Sequence, residues 1–133
     1  MAAVTPALAL LTCSRALVGL GSWAAPAASA RVVGVPGAAA GADATVVLRL
    51  FGARDVALAA SLRQRDPGRR RDALRLGVAV DAVDAVAGLL AARQGLSRHG
   101  VLGVPVGAAV LCALGALALR EAGPAGPAGP APG

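Results

Sequence analysis

The chain has 133 residues, of which 56% are hydrophobic and 15% are charged, and its formal net charge is +6. Soluble domains carry about 25% charged residues, so this composition is not that of an ordinary soluble domain and favours a membrane protein. A soluble chain or a spurious open reading frame, whose composition reflects a base-composition bias, is the alternative. All the basic residues are arginines, and the six between positions 63 and 75 have no aromatic residue or nucleic-acid motif beside them. The positive charge therefore does not indicate a nucleic-acid partner.

Four apolar segments follow one another along the chain. They cover residues 5–25, 43–62, 72–92 and 101–119, and the connectors between them are predicted loops, with Pro67 and Gly68 forming a turn in the second. Each segment is close to the ~20 residues that an α-helix needs to cross ~30 Å of hydrocarbon. We therefore predict an all-α fold, a four-helix transmembrane bundle over residues 1–121, followed by a flexible Gly/Pro/Ala tail over 122–133.

The arginine-rich second connector predicts the orientation of these segments. Basic connectors stay in the cytoplasm, and an even number of spans then places both termini there as well. We expect Arg69, Arg70 and Arg71 to set this orientation and to contact anionic lipid headgroups in a bacterial cytoplasmic membrane. Residues 28–30 (Ala-Ser-Ala) resemble a signal-peptidase site, but no basic residue precedes Arg15, which favours an uncleaved first span.

Charged residues interrupt three of the four apolar segments. The six residues are Arg15, Arg49, Arg54, Asp55, Asp81 and Asp84. At ~1.5 Å per residue, all except Arg49 lie roughly 12–18 Å inside the predicted spans. A single central charge costs ~2.5–3.5 kcal/mol on insertion, so the carboxylates should pair with arginines of neighbouring helices. We predict one buried network of these residues, charge-balanced when Arg49 is included, in which Arg15 and Arg54 pair with Asp55, Asp81 and Asp84. The network is also a possible path for protons or ions.

Small residues accompany the charges at helical spacing. One face of the third segment carries Gly77, Asp81, Asp84 and Gly88, and similar faces contain Thr12, Arg15, Gly19 and Ser22 in the first segment and Gly52, Asp55 and Ala59 in the second. The fourth segment has a Gly-x-x-x-Gly pattern, which lets membrane helices approach closely. The residues predicted for helix packing are Gly77, Gly88, Gly103 and Gly107.

The remaining residues that could take part in catalysis or metal binding form no recognisable site. The sequence has no phosphate-binding glycine loop, no dinucleotide fingerprint and no serine in a catalytic arrangement, so we predict no catalytic residue and no cofactor. His99 is the only histidine, which argues against a metal site. Cys13 and Cys112 are predicted at similar depth and suit small apolar side chains better than a redox pair.

Two segments carry a resemblance to a known group of proteins. These are Leu48-Arg-Leu-Phe-Gly-Ala-Arg-Asp55 and Ala79-Val-Asp-Ala-Val-Asp-Ala85, with the arginine-rich connector between them. Together they resemble a family of small four-helix integral membrane proteins from high-GC bacteria, whose domain has no assigned function. The chain also lacks Lys, Ile, Asn and Tyr, which is typical of a high-GC genome. The resemblance covers about residues 5–120 and implies the fold but no activity.

Three classes of function remain open on the sequence. The first is a structural or interaction subunit that the Arg/Asp network holds together. The second is a small transporter or proton-coupled subunit that uses Asp81 and Asp84. The third is a membrane enzyme, and the two cysteines are the only residues that support it. The expected partners are the lipid bilayer and other membrane proteins or a second copy of the chain.

Overall fold

The computed structural model describes residues 4–34, 41–95 and 98–123. Within those ranges the chain is helical and has no strand, which confirms the predicted all-α fold. Most of the predicted tail, residues 124–133, lies outside the described residues. The helices are α1 (Pro6–Ala24), α2 (Pro26–Val32), α3 (Ala42–Ser61), α4 (Pro67–Arg93), α5 (Arg98–Val101), a π-helical turn (Leu102–Val106) and α6 (Gly107–Glu121).

Two of the long helices begin at the same kind of sequence signal. Thr5 caps α1 through its hydroxyl, and the Asp66 carboxylate caps α4 by accepting a hydrogen bond from Arg69 N at 2.7 Å. A proline follows each cap, where its missing N–H costs nothing. The prediction of a loop over residues 63–72 was therefore wrong in its second half, because Pro67 starts a helix where we expected a turn.

The first and last connections also differ from the prediction. Residues 26–32 form α2, where the sequence predicted a loop, because Pro26 ends α1 and at the same time opens a new helix. The fourth segment is not one regular α-helix. Pro105 has no N–H to donate to the carbonyl four residues earlier, and the chain around it adopts the π-helical turn before α6 continues.

The interior between the four long helices has three layers, which follow one another along the helix axes. The helix α1 packs against α3 and α6, and α4 packs against α6. One end holds an apolar core, whose buried residues are Ala7, Leu8, Leu11, Leu62, Leu74 and Ala118. Charged side chains of α1, α3 and α4 fill the middle, and a cavity occupies the opposite end.

Apolar side chains cover much of the outer surface of the helices. Leu17 of α1 is 74% exposed, Leu50 of α3 is 66% exposed and Val83 of α4 is 66% exposed. The helix α1 and the helical residues 103–121 are long and apolar enough to cross a membrane by length and composition. For α3 and α4, the other two predicted spans, crossing a membrane stays a prediction.

Candidate functional site

Five charged side chains from three helices form an alternating chain of ion pairs in the middle layer. Its order is Asp81, Arg15, Asp55, Arg54, Asp84, and we call it the ion-pair chain. Arg15 Nη2 lies 2.5 Å from Asp81 Oδ2, and Arg15 Nη1 lies 3.3 Å from Asp55 Oδ1. Arg54 donates to the same Asp55 oxygen at 3.3 Å and lies 2.7 Å from Asp84 Oδ2. The helices α1, α3 and α4 are thus connected through charge.

Arg15 lies between Asp81 and Asp55 in the ion-pair chain and is fully enclosed. Its side chain is 1% exposed, Asp55 is 0% exposed and Asp81 is 1% exposed. Gly77, one turn before Asp81 on α4, leaves room for the guanidinium, since a Cβ at residue 77 would lie 3.1 Å from Arg15 Nη2. The sequence predicted Gly77 as a helix-packing residue, and the structure gives it contact with a side chain of the ion-pair chain.

The other arginine of the chain lies closer to the surface. Arg54 is 32% exposed and Asp84 is 23% exposed. The Arg54 guanidinium also lies 4.4 Å from the centre of the Phe51 ring, a distance suited to a cation–π contact. Arg54 Nε and Asp55 Oδ2 are buried without a hydrogen-bond partner among the residues that the structure describes. The ion-pair chain is therefore closed at Asp81 and more accessible at Asp84.

Arg49 does not belong to this arrangement, which corrects the predicted six-residue network. It is exposed, and its guanidinium lies 5.9 Å from the centre of the Trp23 ring. The reason is helical geometry: six residues separate Arg49 from Asp55, so the two side chains leave α3 about 240° apart at ~100° per residue. The network that the sequence predicted as balanced is left with two arginines and three aspartates.

Without Arg49, the ion-pair chain has one negative charge in excess. Formal charges in the ion-pair chain sum to −1, because Asp81, Asp55 and Asp84 outnumber Arg15 and Arg54. An unbalanced charge in a poorly solvated interior is unfavourable unless another group offsets it. Asp84, at the more exposed end of the ion-pair chain, is the carboxylate that a further positively charged group could reach.

A cavity of about 610 Å³ adjoins the accessible end of the ion-pair chain. Residues 44–51 of α3 form one wall, residues 103–111 form the other, and Ser14, Val18 and Ser22 of α1 line the floor. Arg54, Asp81 and Asp84 also line it. The sequence did not predict the cavity, because no periodicity within one helix indicates a space between several helices.

Close helix contacts occur at three of the four predicted packing glycines. A Cβ at Gly88 would lie 2.9 Å from Pro105 Cβ, and one at Gly103 would overlap the backbone of Val33. Gly77 accommodates Arg15 as described above. Gly107 was predicted wrongly as a packing residue, because a Cβ there would meet no atom within 4 Å. It faces open space beside the cavity wall.

The crossing of α1 and α3 is close and involves glycines that the sequence placed on polar faces but not among the packing residues. A Cβ at Gly52 of α3 would lie 2.5 Å from the carbonyl oxygen of Gly19 on α1, and one at Gly19 would lie 2.8 Å from Gly52 O. Each glycine lies within one turn of a charged member of the ion-pair chain. A small residue three or four positions from a buried charge is the sequence signal for this contact.

The arginines of the connector make contacts within the chain. Arg70 donates to Gln64 O at 2.6 Å, and Arg71 donates to Gly123 O just after α6. Arg69 is exposed. The structure thus uses two of the three to join the ends of neighbouring helices, and their expected contact with lipid headgroups stays a prediction.

The cysteines and possible metal ligands form no centre in the described parts of the chain. Cys13 is free and exposed on α1, whereas Cys112 of α6 is free and points its thiol at Val78 O, 3.7 Å away. No disulfide joins the two cysteines. Within residues 4–34, 41–95 and 98–123, no three histidine, cysteine, aspartate or glutamate side chains are grouped as metal ligands.

Comparison with known proteins adds no assignment to this geometry. No protein-family model matches the chain, and no curated protein or solved structure matches it either. The resemblance to small four-helix membrane proteins of high-GC bacteria therefore stays a prediction. The function has to be argued from the ion-pair chain, the cavity and the distribution of apolar surface.

Proposed function

We propose that this protein is a small integral membrane protein of the bacterial cytoplasmic membrane, with four spans held together by the ion-pair chain, and that it serves as a structural or interaction subunit. The observation that carries the proposal is the distribution of side chains between inside and outside. Of the five largest side chains with under 2% exposure, three are charged: Arg15, Asp55 and Asp81. Large apolar side chains of α1, α3, α4 and α6 are exposed instead.

This distribution is unusual for a protein surrounded by water. Charged side chains in soluble domains are almost never fully buried unless they are paired, and extended apolar surfaces mark contact with lipid or with other proteins. In a bilayer, the apolar surface faces hydrocarbon and ionisable residues turn to the interior, where they pair with one another. The exposed Leu17, Leu50 and Val83 on three different helices support a lipid environment around the whole molecule.

Pairing also supports membrane insertion of α3 and α4. A lone Asp or Arg at mid-bilayer costs ~2.5–3.5 kcal/mol, whereas each Leu or Val returns only ~0.3–0.6 kcal/mol. The helices α3 and α4 contribute four members of the ion-pair chain, Arg54, Asp55, Asp81 and Asp84, and α1 contributes the fifth. Insertion as an assembled bundle lets the carboxylates meet their arginines away from lipid.

The arginine-rich segment 63–75 supports an orientation with this end in the cytoplasm and both termini on the same side. The proposed partners are the lipid bilayer and, for an interaction subunit, another membrane protein or a second copy of the chain. The apolar outer faces of α3 and α4 offer surface for such helix contacts. No cofactor and no catalytic residue is proposed.

The structural role of the ion-pair chain is tested with Arg15→Ala. Removing one partner from a buried ion pair costs about 3–5 kcal/mol, because the remaining charges stay buried without compensation. We expect a large fall in melting temperature in detergent and a reduced amount of protein in the membrane fraction. Arg75→Ala is the matched control, since Arg75 pairs with Asp72 at the surface and is 62% exposed. Equal melting temperatures of the two variants would contradict the proposed structural role.

A second candidate function is a small transporter or proton-coupled subunit that uses Asp81 and Asp84. The specific observation in its favour is the negative excess of the ion-pair chain beside a cavity that both aspartates line. Its test is proton flux into liposomes that contain the purified protein, compared between wild type and Asp84→Asn. Flux that depends on Asp84 supports this candidate, whereas liposomes that remain as tight as protein-free vesicles argue for the structural role alone.

A further inference from the structure

The charge of the cavity points to the sign of a ligand. The ion-pair chain carries one excess negative charge, and its most exposed carboxylate, Asp84, lines the cavity together with Arg54 and Asp81. A ligand with a negative charge would increase the excess, and a neutral ligand would leave it unchanged. A monovalent cation next to Asp84 would bring the whole group to neutrality, which is the state that a low-dielectric interior favours.

The walls of the cavity point to the chemistry of that cation. Val47, Phe51, Val104, Val110 and Leu111 line it with apolar side chains. A cavity of about 610 Å³ falls within the ~300–1,000 Å³ typical of small-molecule sites, which combine apolar walls with a few polar groups. A hydrated metal ion would exchange water for these apolar walls, and hard cations instead prefer about six oxygen ligands. An organic cation with an apolar body suits both the walls and the charge.

The position of the cavity allows such a molecule to enter. It separates α3 from residues 103–111 and is partly open to the outside of the helices. Under the proposed topology, the cavity lies in the half of the bilayer away from the arginine-rich connector. An amphiphilic cation that partitions into the membrane therefore meets the cavity opening from the lipid side.

We propose that the cavity between α3 and residues 103–111 binds a lipophilic monovalent organic cation, with its apolar body against the walls and its positive charge beside Asp84. This site uses the ion-pair chain on which the second candidate function rests, but binding does not require transport. A cation seated there completes the alternation of charges that begins at Asp81. The expected ligand class is quaternary or phosphonium-like cations with apolar substituents.

The test compares two lipophilic ions of the same shape and opposite charge, tetraphenylphosphonium and tetraphenylborate. Isothermal titration calorimetry of the purified full-length protein in detergent micelles measures both. We expect the wild type to bind the phosphonium at least tenfold more tightly than the borate. Asp84→Asn, which leaves two arginines and two aspartates, should lose this preference, while Asp72→Asn, at an exposed surface carboxylate, should keep it. Equal binding of the two ions by the wild type would overturn the proposal.

A second variant separates loss of the site from loss of the fold. Gly107 lines the cavity, and a Cβ added there would meet no atom within 4 Å. Gly107→Leu should therefore fill part of the cavity and weaken phosphonium binding at least fivefold without lowering the melting temperature. Unchanged binding in this variant would contradict the assigned site. A folded wild type that binds neither ion would contradict the proposed cation site but not the structural role of the ion-pair chain. That role is tested separately by the stability of Arg15→Ala.

Discussion

Arg15 is the residue on which the middle layer depends. Its two terminal nitrogens contact carboxylates from two other helices, and no solvent reaches it. Arg54 contacts two carboxylates as well but is 32% exposed, so it is less enclosed than Arg15. The five charges are not equivalent, because removing an arginine and removing an aspartate change the net charge in opposite directions.

This asymmetry predicts a rank order of stability. Arg15→Ala raises the excess from −1 to −2, whereas Asp81→Asn and Asp84→Asn each bring the ion-pair chain to neutrality. We expect Arg15→Ala to lose about 3–5 kcal/mol and the two asparagine variants to lose about 1–3 kcal/mol, with the smaller loss at the more exposed Asp84. Thermal or chemical unfolding in detergent measures the order.

The double variant Arg15→Ala/Asp81→Asn is the sharper form of the same prediction. It restores the wild-type excess of −1, so it should be more stable than Arg15→Ala despite carrying one more change. Additive losses from the two substitutions would show that Arg15 and Asp81 do not stabilise the fold as a pair.

At the level of helices, glycine decides how closely α1 and α3 approach. Gly19 and Gly52 place backbone against backbone at the crossing, one turn from Arg15 and Asp55 respectively. This approach is short enough for the Arg15 side chain to reach Asp55 from the neighbouring helix. A larger residue at the crossing would separate the helices and stretch the ion pairs next to it.

The prediction at this scale is a pair of matched Gly→Ala substitutions. Gly52→Ala would place a methyl group 2.5 Å from Gly19 O and 2.8 Å from Trp23 N, and overpacking of this kind costs about 1–3 kcal/mol. Gly107→Ala meets open space and gains up to about 1 kcal/mol of helix propensity. Melting temperatures in detergent should fall for the first variant and stay level or rise for the second. A stable Gly52→Ala protein would mean that α1 and α3 can separate without loss.

At the scale of the whole molecule, the long helix α4 connects two ends of different chemistry. Its first two turns carry three arginines next to the apolar core layer, and its last turns reach the side of the cavity. Because basic residues stay on the cytoplasmic side, this polarity orients the molecule in the proposed membrane.

Two exposed glutamines at opposite ends of α4 provide the test of orientation. In a variant with Cys13 and Cys112 replaced by serine, Gln64→Cys and Gln94→Cys each supply a single thiol. A membrane-impermeant maleimide should label Gln94→Cys in intact cells and Gln64→Cys only after the cells are broken. Labelling of both thiols in intact cells, or of neither end until lysis, would contradict the proposed topology.

The sequence by itself determined the helical character, the approximate extent of each long helix, and the inward-facing helix face of Arg15, Asp55 and Asp81. These features depend on chain length and on a period of ~3.6 residues, both of which a sequence displays directly. The sequence also contained the signal for the start of α4, a capping aspartate followed by a proline at Asp66-Pro67. We interpreted Pro67-Gly68 as a turn instead.

Only the tertiary structure decided which arginine contacts which carboxylate. Periodicity relates residues of one helix to one another, but the rotation of each helix against its neighbours depends on contacts such as Gly19 against Gly52. That rotation places Arg15 between Asp81 and Asp55 and places Arg54 between Asp55 and Asp84. The cavity is a product of the same packing, because it is the space that α3 and residues 103–111 leave between them.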